Sequence, residues 1–272
     1  MGRIVGGFAM SHVLGAPAGV EAQSEIVFAG MKEIGARIRA LAPDVLVVVS
    51  SDHLNNFRLG QPVPVGVAVD AVLTPLGDMG LPRDPIRGHA AFTTGFASFA
   101  RKGACAEVVP LEGVQPDHGI MIPLGIVDPE RQFAVAPVYV NTVFDDAPEP
   151  AQSYALGGRL KTYIETVRPA DERVVILAGG GLSHWLGVPE EGRVNVDWDN
   201  AFVDLMIGGD HAALAEMTNL EIGQEAGNGG LEVNAWIVLA GAMPGNRGEL
   251  VFYEPIPQWA SGMGGLALSP DI

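Results

Sequence analysis

The run Asp44-Val45-Leu46-Val47-Val48-Val49-Ser50 constrains the fold of this 272-residue chain more than any other stretch. Between its two polar ends it is apolar throughout and mostly β-branched. A strand with one wet face alternates apolar and polar residues. An unbroken run is covered on both faces, which makes it central and parallel, with helices on either side. Strands are also expected at residues 3–8, 64–69, 105–109, 133–140, 173–178 and 248–253. Helices are expected at 21–41, 84–100, 151–167, 197–207, 212–217 and 229–242. Val27, Met31, Ile34, Ile38 and Leu41 step by 4, 3, 4 and 3 and draw one buried stripe; Pro43 stops that helix. Leu156, Leu160, Ile164 and Val167 draw another, ended by Pro169. The pattern predicts an α/β fold: a central, mostly parallel sheet flanked by helices, with a helical C-terminal third. No repeat or low-complexity linker divides the chain, so residues 1–272 are expected to form one domain.

Charge and cysteine usage exclude several function classes. With 32 acidic and 16 basic residues the net charge is −16, and no basic face is left for phosphate contact; nucleic acid is not an expected partner. No apolar stretch reaches the ~20 residues that span a bilayer, so no membrane partner is expected. Arg3, the apolar residues 4–10 and Ala16-Pro17-Ala18 loosely mimic a signal peptide. Gly6 and Gly7 break that run and Ser11-His12 ends it, so it reads as a first strand and the cytoplasm as the expected location. The single cysteine, Cys105, excludes an internal disulfide and any multi-cysteine metal site; in its apolar run it reads as buried and inert.

The histidines carry the functional signal. There are six, and four of them, His12, His53, His118 and His184, end a predicted strand or lie in the loop after one. In open α/β sheets the carboxyl ends of the strands form the ligand crevice, where residues far apart in sequence converge. Taken singly, each reads equally well as a hydrogen-bonded structural histidine. A histidine-poor chain has no packing reason to place four of them alike. His89 and His211 lie in polar stretches beside helices and read as surface residues. Histidine serves as a metal ligand or as a proton carrier near neutral pH. Two histidines and a carboxylate with open positions suit non-haem Fe(II). Glu232, in Asn228-Gly-Gly-Leu-Glu-Val-Asn, is one candidate carboxylate, its flanking glycines allowing close approach to another loop; it also reads as a residue favoured by a helix N-terminus. Asp52 and Asp117, each immediately before a histidine, are candidates to fix a ring tautomer. Gly179-Gly180-Gly181 follows a strand without a P-loop lysine, and no G-x-S-x-G elbow exists.

Five motifs in order, Ser11-His12, Asp52-His53, Asp117-His118-Gly119, Gly180-Gly181-Leu182-Ser183-His184 and Leu231-Glu232, resemble the class III extradiol ring-cleavage dioxygenases of the protocatechuate 4,5-dioxygenase β-subunit type. Asp52-His-Leu-Asn-Asn-Phe57 and Tyr253-Glu-Pro-Ile-Pro-Gln-Trp259 resemble the 2,3-dihydroxyphenylpropionate 1,2-dioxygenase branch. The resemblance implies that His12, His53 and Glu232 hold Fe(II), that His184 is the catalytic base, and that His118 is a second acid/base. It implies a catecholic aromatic acid of the protocatechuate, gallate or 2,3-dihydroxyphenylpropionate type as substrate, opened beside its diol with O2 to a semialdehyde-type product. Asn55, Phe57, Trp185 and Tyr253 are candidate pocket residues, and Arg58 a candidate partner for an anionic substrate. Protocatechuate enzymes take a lid from a small α subunit, so such a subunit or a homo-oligomer is expected over the site. Three alternatives stay open: a 2-aminophenol dioxygenase, a non-catalytic metal- or partner-binding relative such as the MEMO-like proteins, and a zinc hydrolase using the same ligands.

Overall fold

Strand β2 (Val45–Ser50) is buried along its whole length and lies between two parallel neighbours, β7 (Ala134–Val140) and β8 (Arg173–Ala178). Its residues divide between two cores. Val45, Val47 and Val49 face one apolar cluster with α2 (Ala90–Ala100), α4 (Pro150–Val167), α5 (Val196–Gly208) and α8 (Val233–Ala242). Leu46 and Val48 face a second, with α1 (Glu21–Leu41) and α3 (His118–Val127). Both faces are covered, as the unalternating sequence requires.

The computed structural model describes all residues except 59, 61–62, 102–106, 144–145 and 271–272. Strand β1 (Arg3–Met10) pairs parallel to β8 and completes a parallel centre in the order β7-β2-β8-β1. The edges reverse. β3 (Val65–Ala68) runs antiparallel to β7, with β6 (Val108–Leu111) parallel to β3. On the far side β10 (Ser261–Leu268) runs antiparallel to β1, and β9 (Gly248–Ile256) antiparallel to β10. A two-stranded ribbon, β4 (Val72–Leu73) and β5 (Ile86–Arg87), stands apart. Two shorter helices, α6 (His211–Glu216) and α7 (Asn219–Glu225), lie between α5 and α8. No helix among the described residues is long and apolar enough to cross a membrane.

Several sequence expectations shift. Helix α2 starts at Ala90 instead of Asp84, because Ile86–Arg87 pairs with β4 and His89 caps the helix, its Nδ1 accepting from Phe92 N–H at 3.2 Å. Val167 ends α4 half-exposed, outside the buried stripe of Leu156, Leu160 and Ile164. His211 is not a surface residue: it is buried, and its Nε2–H donates to Met206 O at 2.8 Å. His89 is half-buried. The strand expected at 105–109 is seen at Val108–Leu111, and Cys105 lies outside the described residues.

Helix α3 and strand β10 escape the sequence pattern, as do α7 and the β4–β5 ribbon. Helix α3 contains Pro123, which has no N–H for the Gly119 carbonyl four residues back. Ser50 Oγ supplies that carbonyl with a donor at 3.3 Å, so the helix survives its proline. Strand β10 is rich in glycine, yet it pairs along its whole length with β9, and its residues 265–268 pair with β1.

All ten residues of α8 are buried, and it packs closely on α4. A Cβ at Gly157 would fall 2.0 Å from the Val238 carbonyl oxygen, and one at Gly241 2.0 Å from that of Tyr154. Only glycine permits this approach. Gly157→Val is predicted to force the helices apart and cost roughly 1–3 kcal/mol, read as a lower denaturant midpoint.

Candidate active site

Strands β2, β8 and β1 are adjacent and parallel, so the loops leaving their carboxyl ends meet. Those loops carry His53, His184 and His12. His118 arrives as the first residue of α3, and Glu232 ends a 3₁₀ turn (Gly229–Glu232) that feeds α8. His12 Nε2 lies 3.2 Å from His53 Nε2 and 3.6 Å from Glu232 Oε2, and His53 Nε2 lies 3.0 Å from Glu232 Oε1. His184 Nε2 lies 3.9 Å from Glu232 Oε2. The His118 ring sits against that of His53, with centroids 4.1 Å apart, and its ligand nitrogen lies within 4.8 Å of those of His12 and His53.

Each ring is held by a different group. Asp117 Oδ2 accepts from His53 Nδ1–H at 3.0 Å and from the His53 amide at 3.1 Å. Its Oδ1 caps α3 by accepting from Gly119 N–H at 3.0 Å. Asp78 Oδ2 accepts from His118 Nδ1–H at 2.6 Å. The Leu182 carbonyl accepts from His184 Nδ1–H at 2.8 Å. All three rings therefore turn Nε2 away from the group that holds them. His12 differs: Gly180 N–H donates to its Nδ1 at 2.9 Å, and a metal at Nε2 would displace the proton that this bond favours there. Glu232 accepts from Ser51 Oγ–H on Oε1 and from Gly181 N–H on Oε2, both at 2.8 Å.

The sequence expectations divide here. Asp117 does fix a ring, but that of His53, not its neighbour His118. Asp52 holds no ring; it gathers the amides of Asn55, Asn56 and Phe57 at 2.9–3.0 Å and so shapes the loop after His53. Asn55 Nδ2 donates to Asp117 Oδ2 at 2.9 Å. Phe57 is buried edge-on against Tyr139, and Arg58 is exposed. Trp185 is buried beneath the Arg193 guanidinium, 4.6 Å from its ring centroid. Tyr253 O–H donates to Asp199 Oδ2 at 2.7 Å, and Asp199 in turn accepts from Ser183 N–H at 2.7 Å, bracing the loop that carries His184. Asp78 and Asp199 had no sequence signal, since each reaches the site from a separate loop or helix, and Ser51 lies two residues before His53 in the same loop.

The electrostatics follow from burial. Glu232 and Asp117 are nearly or wholly shielded from water. Burial alone would raise both, but the histidines hold Glu232 well below the usual carboxylate range and Asp117 at about 2. Burial would lower His53, yet Asp117 and Glu232 outweigh it and lift it to about 10. Burial, with His53 and His118 alongside, lowers His12 to about 4 despite Glu232. The buried carboxylates Glu232 and Asp117 keep their charge only with positive charge beside them.

That requirement fits a metal. An ion holding donors at ~2.1 Å sets neighbouring donors ~3.0–3.4 Å apart for angles between about 90° and 109°. His12 Nε2–His53 Nε2 at 3.2 Å and His53 Nε2–Glu232 Oε1 at 3.0 Å fall in that range, and His12 Nε2 lies slightly beyond it, 3.6 Å from the other oxygen, Oε2. The donor set, imidazole plus carboxylate without thiolate, suits a first-row divalent ion.

Two predictions follow from this geometry. A Cβ at Gly229 would fall 2.2 Å from the His184 ring, so Gly229→Ala is predicted to displace that ring, leaving bound metal unchanged while lowering turnover. Metal content and kcat measured on the same preparation check it. The second concerns pH. The folded-state His53 lies above its ordinary 6.5, so its contribution to stability is full below 6.5 and is lost as pH rises through about 10. In metal-free protein the destabilisation by His53→Gln is predicted to shrink across that window, as read by denaturant midpoints on either side of it.

Residues 7–264 match the family described as the catalytic LigB subunit of aromatic ring-opening dioxygenase. The relatives include proteins named 2,3-dihydroxyphenylpropionate/2,3-dihydroxicinnamic acid 1,2-dioxygenase. That of Klebsiella pneumoniae is 25% identical over 87% of this chain and 88% of its own. That of Photorhabdus laumondii is 23% identical over 92% of each. Among solved structures, an uncharacterized Escherichia coli K12 protein superposes with a TM-score of 0.63 at 13% identity, over 98% of this chain and 100% of its own, a likeness of fold. With almost its whole length matched and its histidines gathered at the strand ends, this chain belongs to the LigB family of aromatic ring-opening dioxygenases.

Proposed function

We propose that this chain is a non-haem Fe(II)-dependent extradiol dioxygenase that opens a catecholic aromatic acid with O2, beside the diol, to a semialdehyde-type product. The observation that carries the reading is the pair His118 and His184. Each has its Nδ1–H committed to a fixed acceptor; His184 Nε2 lies 3.9 Å from Glu232, and the His118 ring sits against that of His53. Binding a metal alone requires no such pair of proton carriers.

In this reading His12, His53 and Glu232 hold the iron. Fe(II), when bound, would supply a Lewis-acidic centre with positions open to the catechol oxygens and to O2. Asp117 keeps the proton of His53 on Nδ1 and so keeps its Nε2 lone pair directed inward. His184 Nε2 takes the proton from a substrate hydroxyl, and the Leu182 carbonyl stabilises the ring as it becomes charged. His118 carries the second proton, with the Asp78 carboxylate behind it. The relatives named 2,3-dihydroxyphenylpropionate dioxygenases support a substrate with a short acidic side chain as the first candidate to test. Cover by a second chain, a further copy or a small α subunit, is supported by apolar side chains exposed on the site's own loops: Leu54 beside His53, Met79 beside Asp78 and Leu186 beyond His184.

The test is anaerobic Fe(II) loading, then oxygen uptake and absorbance scans with protocatechuate, gallate, 2,3-dihydroxyphenylpropionate, 3-methylcatechol and 2-aminophenol. Equimolar oxygen loss and a yellow product with a catecholic acid are expected. Iron retained with no oxygen consumed from any compound would overturn the reading. His12→Ala is predicted to lose iron. His184→Ala is predicted to keep it and lose about 10²–10⁴-fold in kcat, measured by metal analysis and steady-state kinetics together.

A further inference from the structure

We infer that Asp78 is a positioning residue for His118, delivered by a loop built for that purpose. The acid next to His118 in sequence is fully engaged elsewhere. Asp117 Oδ2 accepts from the amide and Nδ1–H of His53 and from Asn55 Nδ2, and its Oδ1 caps α3. His118 therefore takes its acceptor from forty residues upstream. Asp78 Oδ2 accepts twice from the same residue, from His118 Nδ1–H at 2.6 Å and from the His118 amide at 3.2 Å. Two bonds from one oxygen to the backbone and ring of one residue fix both the direction of the ring and its tautomer. Nε2 is left without the proton.

The segment around Asp78 is shaped for this placement. Gly77, Met79 and Gly80 all have left-handed backbone, with φ of 74°, 51° and 77°. Met79 holds that strained conformation although its side chain is 64% exposed, so core packing of the side chain does not account for the strain. Leu76 N–H donates to the Pro116 carbonyl at 2.9 Å, fastening the segment to the loop just before His118. The second carboxylate oxygen, Asp78 Oδ1, is buried without a partner. A loop needing only a backbone brace has no use for a half-used buried carboxylate.

Only the catalytic role of His118 rests on the ring-cleavage reading; the ring's orientation and tautomer do not. The test therefore has two arms. In metal-free protein with ¹⁵N-labelled histidine, His118 is expected to carry its proton on Nδ1, and in Asp78→Ala to shift toward the Nε2–H form. In Fe(II)-loaded protein, Asp78→Ala is expected to lower kcat about 10- to 100-fold with KM and iron content close to the parent, and Asp78→Asn, which keeps an acceptor oxygen, to recover part of the loss. A parent His118 protonated on Nε2 overturns the inference, and that result needs no variant to fold. So does an Asp78→Ala chain with parental kcat and tautomer, or one that loses iron, which would make Asp78 the support of a ligand. If the parent turns over no catechol, the ring-cleavage reading fails while the tautomer arm still decides for or against Asp78.

Discussion

Glu232 carries a negative charge into a place water barely reaches, and the arrangement of the site follows from that. A buried carboxylate is tolerated only with donors or cations around it. Glu232 has an amide from the loop after β8, a hydroxyl from the end of β2, and imidazole nitrogens from three separate loops. None of these is close to it in sequence. Three adjacent parallel strands must end side by side for them to meet, which is why the doubly covered strand and the charged pocket are parts of one design.

The four histidines are chemically alike and are differentiated by what stands behind each ring. Nδ1–H is held by a carboxylate at His53 and at His118 and by a carbonyl at His184, whereas Nδ1 of His12 accepts from an amide. In the proposed reaction the first and last of these rings bind and the other two carry protons.

The parts of the fold written in local pattern were legible: the apolar run of β2, the stripe of α1 and the β8 strand ending in three glycines. The convergence of His12, His53 and His184 was legible too, because each follows a strand of the parallel centre. Pairings across loops were not. Adjacency in sequence made Asp52 look like the partner of His53 and gave Asp117 an evident neighbour in His118, whereas Asp52 shapes its own loop and Asp117 serves the histidine 64 residues away. Asp78 sits in a turn with no apolar period at all. Helix α3 was hidden by Pro123, and β10 by glycines that the structure needs because the Phe252 ring lies where a Cβ at Gly265 would be.

The central claim is that His12, His53 and Glu232 are the donors of one divalent ion. An anomalous difference map at the iron edge, from crystals grown with Fe(II) under anaerobic conditions, tests it most directly. The account predicts a single peak within bonding distance of His12 Nε2, His53 Nε2 and a Glu232 oxygen, with His118 and His184 outside that distance. A peak bonded to His12, His53 and His118 with Glu232 turned away would contradict it, as would a loaded crystal with no peak at these residues.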